Sequence, residues 1–174
     1  MSECHCILCE DHGELDDIDR SMIENVRTHG WGVMNIAADE AGPGWSFSVG
    51  LWHSHRSPEL AMFGLGMDVT EAVINHLGRE IACGRAAEDG QERHGLIRDY
   101  PIVLKRVDPG WYRTFFGTAM AFYQRPPLPV VQLVWPDRDG RFPWDAETAD
   151  GYQEAQPQAW LARDAHPAGV WLES

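Results

Sequence analysis

The chain has 174 residues, 44% of them apolar and including eight Trp, six Phe and four Tyr, enough to bury a core in one domain without disulfides. Fourteen Lys and Arg against 27 Asp and Glu leave a net charge of -13, which repels phosphate backbones and anionic lipid surfaces and argues against nucleic-acid and membrane partners. The acidic, Cys/His-bearing start does not resemble a signal peptide and no apolar run reaches membrane-spanning length, so a cytoplasmic location is expected, where four Cys do not read as a disulfide framework.

Residues 1–14 carry Cys4, His5, Cys6, Cys9 and His12 and little to place in a core; they read as a Cys/His-rich lead-in to an α+β domain over residues 15–174. Leu15, Ile18, Met22 and Val26 recur at helical spacing, with Asp16, Asp17 and Asp19 at the positive end of the dipole and Gly30 after the run, which predicts a helix over residues 16–29. WGVMNIA (31–37), WSFSVGL (45–51) and ELAMFGL (59–65) read as strands, the first two joined by the acidic Gly/Pro turn at 39–44. Asp68, with Glu71 three residues on, predicts the cap of a helix whose Val69, Val73, Leu77 and Ile81 share a face; Gly84 closes it and Cys83 reads as buried packing.

Residues 86–92 are polar and read as a surface loop before the strand YPIVLKRV (100–107). Asp108-Pro109 opens a short aromatic helix through Trp111, Phe115 and Phe116 that continues past Gly117 to Tyr123, where RPPLP breaks it. PVVQLVW (129–135) is apolar throughout, as expected of a strand covered on both faces. PDRDGRFPWD then makes a turn that folds Phe142 and Trp144 back onto the body. The acidic tail keeps Trp160, Leu161, Val170, Trp171 and Leu172 for docking on the domain or on a second copy, a route to a homodimer. The expected fold is α+β: a mostly antiparallel sheet of about five strands with two or three helices mainly on one face, its first three strands forming a meander because their connections are too short for parallel crossovers.

Several short motifs occur in order: HGWGV (29–33) after a Cys-bearing start, FSVGLWH (47–53), SPELAMFGL (57–65) and QLVWPDRDGRFPWD (132–145). By these the chain resembles a bacterial family described as a domain of unknown function, number 4262. The resemblance implies no activity. It implies that Pro58-Glu59-Leu60 is typical of the family, whereas His55 falls in a variable part of the turn, which counts against His55 as a required ligand.

Cys4-x-Cys6-x-x-Cys9 is the sharpest chemical signal, since three thiols within six residues can converge on one ion. Thiolates suit Zn2+, and Cys6–Cys9 has zinc-knuckle spacing. A second CxxC or HxxxH pair is missing, so the fourth ligand falls to His12, ahead of His5, because it can reach back across a turn. A flexible thiol-bearing terminus and a redox CxxC remain open, the latter lacking the strand that usually precedes it.

The second signal is WHSHRSPE (52–59). If the preceding strand continues, His53 and His55 share a face about 6–7 Å apart, and Glu59 returns beside them as a third ligand or general base of a small hydrolase-like metal enzyme. The same stretch also reads as a recognition surface, with Trp52, His53, Arg56 and Glu59 as ligand-binding residues and Trp135 and Trp144 as pocket walls, or as a solvated turn whose Glu59 pairs with Arg56 or caps backbone. No phosphate-binding loop or dinucleotide fingerprint is present. The functional expectation is a cytoplasmic, zinc-stabilised module that binds an unidentified small molecule or protein, with the metal enzyme as the alternative.

Overall fold

The computed structural model describes residues 3–173. Helix α1 (Asp17–His29) starts where the charges place it: Asp16 caps it by accepting from the Asp19 N–H, the Asp19 side chain answers the Asp16 N–H, and Gly30 ends it in the left-handed conformation. Strands β1 (Gly32–Ile36) and β2 (Trp45–Val49) follow as an antiparallel pair. A short helix, α2 (Leu51–His55), separates β2 from β3 (Glu59–Phe63), which pairs antiparallel with β2 and completes the expected meander. The continued strand over 52–55 is therefore replaced by a helical turn. Gly50, at φ 115°, starts it, and a Cβ there would stand 2.6 Å from Val26 and 3.0 Å from the Gly30 carbonyl oxygen, so only glycine lets α2 tuck against the end of α1.

Helix α3 (Met67–Ala82) is followed by β4 (Glu92–Ile97), β5 (Tyr100–Arg106), α4 (Tyr112–Phe115), α5 (Gly117–Tyr123), β6 (Val130–Val134) and α6 (Tyr152–Ala155). The six strands form one sheet in the order β1-β2-β3-β6-β5-β4, antiparallel except for the parallel β3–β6 pair at its centre. Strand β4 goes beyond the five expected. Its polar Arg93-His94-Gly95 carries no strand pattern; it is a bulged edge strand held partly by buried Arg93, which reaches Glu80 of α3 and the Ala86 carbonyl.

Helices cover both faces of the sheet rather than mainly one. Leu60, Met62, Val131 and Leu133 pack with Val73, Ile74, Leu77 and Ile81 of α3. Their neighbours Ala61, Phe63 and Val130 point the other way, into a core shared with α1, α4 and α5. Every residue of β3 and β6 is buried in consequence. Helix α3 starts at Met67 after Gly66, with Asp68 inside its first turn rather than at the cap. Cys83, expected in the packing, is exposed.

The ends of the chain are built into this body. Cys4, Cys6 and Ile7 are buried, and the Ile7 N–H donates to the Phe122 carbonyl at 2.9 Å, so the expected lead-in packs against α5. In the tail, Trp171 lies edge-on to Phe63 and Phe115, and buried Gln132 of β6 bonds the Pro157 carbonyl and the Ala159 N–H. Asp137 accepts the N–H groups of Asp139, Arg141 and Ala149, so backbone bonds to one carboxylate organise the PDRDGR turn. Among the described residues no helix is long and apolar enough to cross a membrane.

Candidate metal centre

The site begins with what fixes α2. This five-residue helix is too short to be stable by itself, and its ends are held from outside. Glu59, buried at the start of β3, accepts from the Gly50 N–H at 2.9 Å, the Trp52 N–H at 3.1 Å and the Ser48 hydroxyl at 2.5 Å, and from the Tyr123 hydroxyl of α5. The same Tyr123 oxygen accepts the His53 N–H at 3.3 Å. At the other end Arg56, at φ 51°, donates through Nη1 to the Trp52 and His53 carbonyls at 2.7 and 2.6 Å. Glu59 and Arg56 therefore hold opposite ends of one helical turn and do not pair with each other. Burial pushes the Glu59 carboxyl above its ordinary range against the pull of its donors, and burial with the adjacent Glu59 pushes the Tyr123 phenol up.

Held this way, His53 projects toward the first residues of the chain. Its Nδ1 lies 3.2 Å from Cys6 Sγ, 3.4 Å from Cys9 Sγ and 3.9 Å from Cys4 Sγ; Cys6 and Cys9 sulfurs are 3.6 Å apart, and all four atoms lie within 4.8 Å of one another. A tetrahedral Zn2+ with ~2.3 Å bonds to sulfur and ~2.0 Å to nitrogen has S–S edges of about 3.8 Å and S–N edges of about 3.5 Å. The three Nδ1–Sγ distances and the Cys6–Cys9 distance lie within about 0.4 Å of those edges, so small side-chain shifts would close the four donors on one ion. Cys4 and Cys6 are buried, Cys9 is exposed and His53 is half-buried, so the cluster is open to solvent on the Cys9 side.

The backbone around the cluster is arranged for thiolates. The chain turns at Cys6, whose carbonyl accepts the N–H of Cys9 at 2.9 Å and of Glu10 at 3.1 Å, while the N–H groups of Cys6 and Leu8 serve the sulfurs of Cys4 and Cys6. With no ion bound, burial pushes the Cys4 thiol up and the Cys6 thiol up to about 12. Burial, and then Arg56, lower the His53 pKa and keep its imidazole neutral, the form that ligates a metal. Glu10 ties the segment down through Arg125 at 2.6 Å and through His5, and these two hydrogen bonds, Arg125 first, lower its pKa.

The position given to His12 is thus taken by His53. His12 bonds the Gly13 carbonyl at 2.8 Å and is exposed, and His5 is engaged by Glu10. Sequence spacing favoured a local fourth ligand, and nothing in it connects residue 53 to residue 9; that link depends on α5 carrying both the segment and the start of α2. The second expected constellation does not assemble. On a helix two residues apart, His53 and His55 diverge by about 200°; His55 is exposed near Gly30, and Glu59 is enclosed by its four donors. The expected ligand-binding residues also scatter. Trp135 donates to the Phe63 carbonyl at 2.7 Å and meets Tyr152 edge-on, whereas exposed Trp144 stacks on Phe142 and lies under Lys105. Tyr123, which orders the site, was not singled out; at the end of an aromatic helix it reads as ordinary core. Among the described residues Cys4, Cys6, Cys9 and His53 form the one group of three or more His, Cys, Asp or Glu side chains able to hold a metal ion.

A family model described as a domain of unknown function (DUF4262) matches residues 25–149, a span that includes His53, Glu59 and Tyr123 but not the three cysteines. Comparison with curated proteins and with solved structures finds no match.

Proposed function

We propose that this chain, which belongs to the family described as a domain of unknown function (DUF4262), is a cytoplasmic binding module stabilised by one structural Zn2+ held by Cys4, Cys6, Cys9 and His53. The observation that carries this reading is the meeting of three sulfurs from one short segment with an imidazole nitrogen 44 or more residues away, all within 4.8 Å. Four protein donors complete a tetrahedron and leave no position for substrate or water, which is the arrangement of a structural site. The sulfur-rich donor set selects Zn2+ over Mg2+ or Ca2+, which take oxygen ligands. The ion would staple residues 4–9 to α2 and so to the sheet. With a net charge of -13, partners other than nucleic acid fit this reading, and the tail's Trp171, packed on its own Phe63 and Phe115, gives no support to a homodimer.

The test is elemental analysis of untagged protein purified without chelator, beside the Cys6→Ser/Cys9→Ser variant. About one zinc per chain in the parent, lost in the variant, is the expected result. Metal retained in the variant, or none in either, overturns the assignment.

A further inference from the structure

Beside α2 lies an open cleft of about 870 Å3, bounded by Trp52, the end of β5, α4 and the proline-rich segment from α5 to β6. Its lining is mostly apolar, with Tyr112, Met120 and Leu128 among its walls, and its size falls within the range of small-molecule sites. Its charge separates it from an ordinary surface groove. Arg106, Arg113 and Arg125 all line it and no Asp or Glu does, on a chain whose acids outnumber its bases 27 to 14. Glu10 pairs with Arg125, but among the described residues no carboxylate lies within ion-pair distance of the Arg106 or Arg113 guanidinium. The Trp52 indole forms one wall; its Nε1 is buried and has no acceptor.

We infer that this cleft binds a small amphiphilic anion, an organic acid whose apolar body lies against Trp52, Tyr112 and Leu128 and whose acidic head is taken by Arg106 and Arg113. Apolar walls favour the body, and two free guanidinium groups supply charge-assisted, forked hydrogen bonds that a neutral analogue cannot use. The net charge of the chain works against anions everywhere else, so the selectivity resides in these two side chains. The inference deepens the binding-module reading and does not depend on the metal.

The test titrates the full-length protein, as purified without chelator, with two fluorescent probes of similar shape, the sulfonate 8-anilinonaphthalene-1-sulfonate and the neutral N-phenyl-1-naphthylamine. One saturable sulfonate site per chain is expected, weakened about tenfold or more in Arg106→Ala/Arg113→Ala, with binding of the neutral probe changed less than about twofold. Near-UV circular dichroism, read on every sample, establishes that the variants are folded. Met120→Trp, which fills the cleft, should abolish both signals. Sulfonate binding that is indifferent to the double substitution, or no saturable binding of either probe, overturns the inference, as does a dimer that buries the cleft. Zinc-free Cys6→Ser/Cys9→Ser that still binds the sulfonate leaves this inference standing while the metal content decides the other.

Discussion

His53 is the residue on which the candidate metal centre turns. It supplies the one nitrogen of the cluster and the one ligand from the body of the fold, so His53→Ala should leave three thiols that hold Zn2+ at least about tenfold more weakly, whereas His12→Ala should leave stoichiometry and affinity unchanged. Competition with a chromophoric chelator measures both. Because burial raises the Cys4 and Cys6 thiols, the latter to about 12, ion uptake must expel their protons. Affinity should therefore climb with pH, by roughly tenfold per unit for each proton released. A flat profile between pH 6.5 and 8.5 would contradict thiolate ligation.

Among the elements, α2 illustrates how a turn is made rigid enough to present a ligand. Glu59→Gln places an amide N–H against one of four donors; the lost acceptor should cost about 1–3 kcal/mol in urea unfolding and loosen His53 with it. Gly50→Ala meets both a positive φ and Val26 at 2.6 Å, and should cost about 2 kcal/mol or more. The tail carries a pH dependence of its own. His166 accepts the Gln158 N–H at Nε2, 2.9 Å, bonds the Pro167 carbonyl through Nδ1 and lies edge-on to Trp111; burial is the main cause that lowers its pKa. A group whose folded pKa is depressed contributes stability above its unfolded pKa, about 6.5, and loses it as pH falls through the folded value. Between about pH 6.5 and 5 the parent should lose stability faster than His166→Gln, compared by urea midpoints in the presence of chelator so that metal release does not contribute. Parallel pH profiles would show that the tail's histidine is not buried neutral in solution.

For the molecule as a whole, the proposed ion would join the first residues of the chain to a sheet otherwise covered on both faces by helices. Binding to the folded state alone stabilises by about 2.7 kcal/mol at a hundredfold excess over Kd, on the order of 5–10 °C for a chain of this length. Chelation should lower the melting temperature by that amount, and the melting temperature should rise with the logarithm of free zinc. Removing residues 1–12 should remove the zinc dependence together with the metal, while the sheet, whose strands lie elsewhere in the chain, still forms.

Local chemistry in the chain determined α1, capped by Asp16 and closed by Gly30, the Asp108-Pro109 helix start, the meander of the first three strands and the buried character of β6, because each depends on neighbours within a few residues. The three cysteines were legible for the same reason. What lay beyond sequence reasoning was every partner brought in from a distance. Strand β4 exists through its pairing with β5 and through Arg93 reaching Glu80, against the pattern of its own residues. Residues 52–55 leave the extended state because Glu59 and Tyr123 offer acceptors to the N–H groups at the start of a helix. His53 meets Cys6 only because α5 binds the segment through Phe122 and the start of α2 through Tyr123. Local spacing specifies which side chains are suited to hold an ion; which of them share a point in space is decided by the packing of elements far apart in the chain.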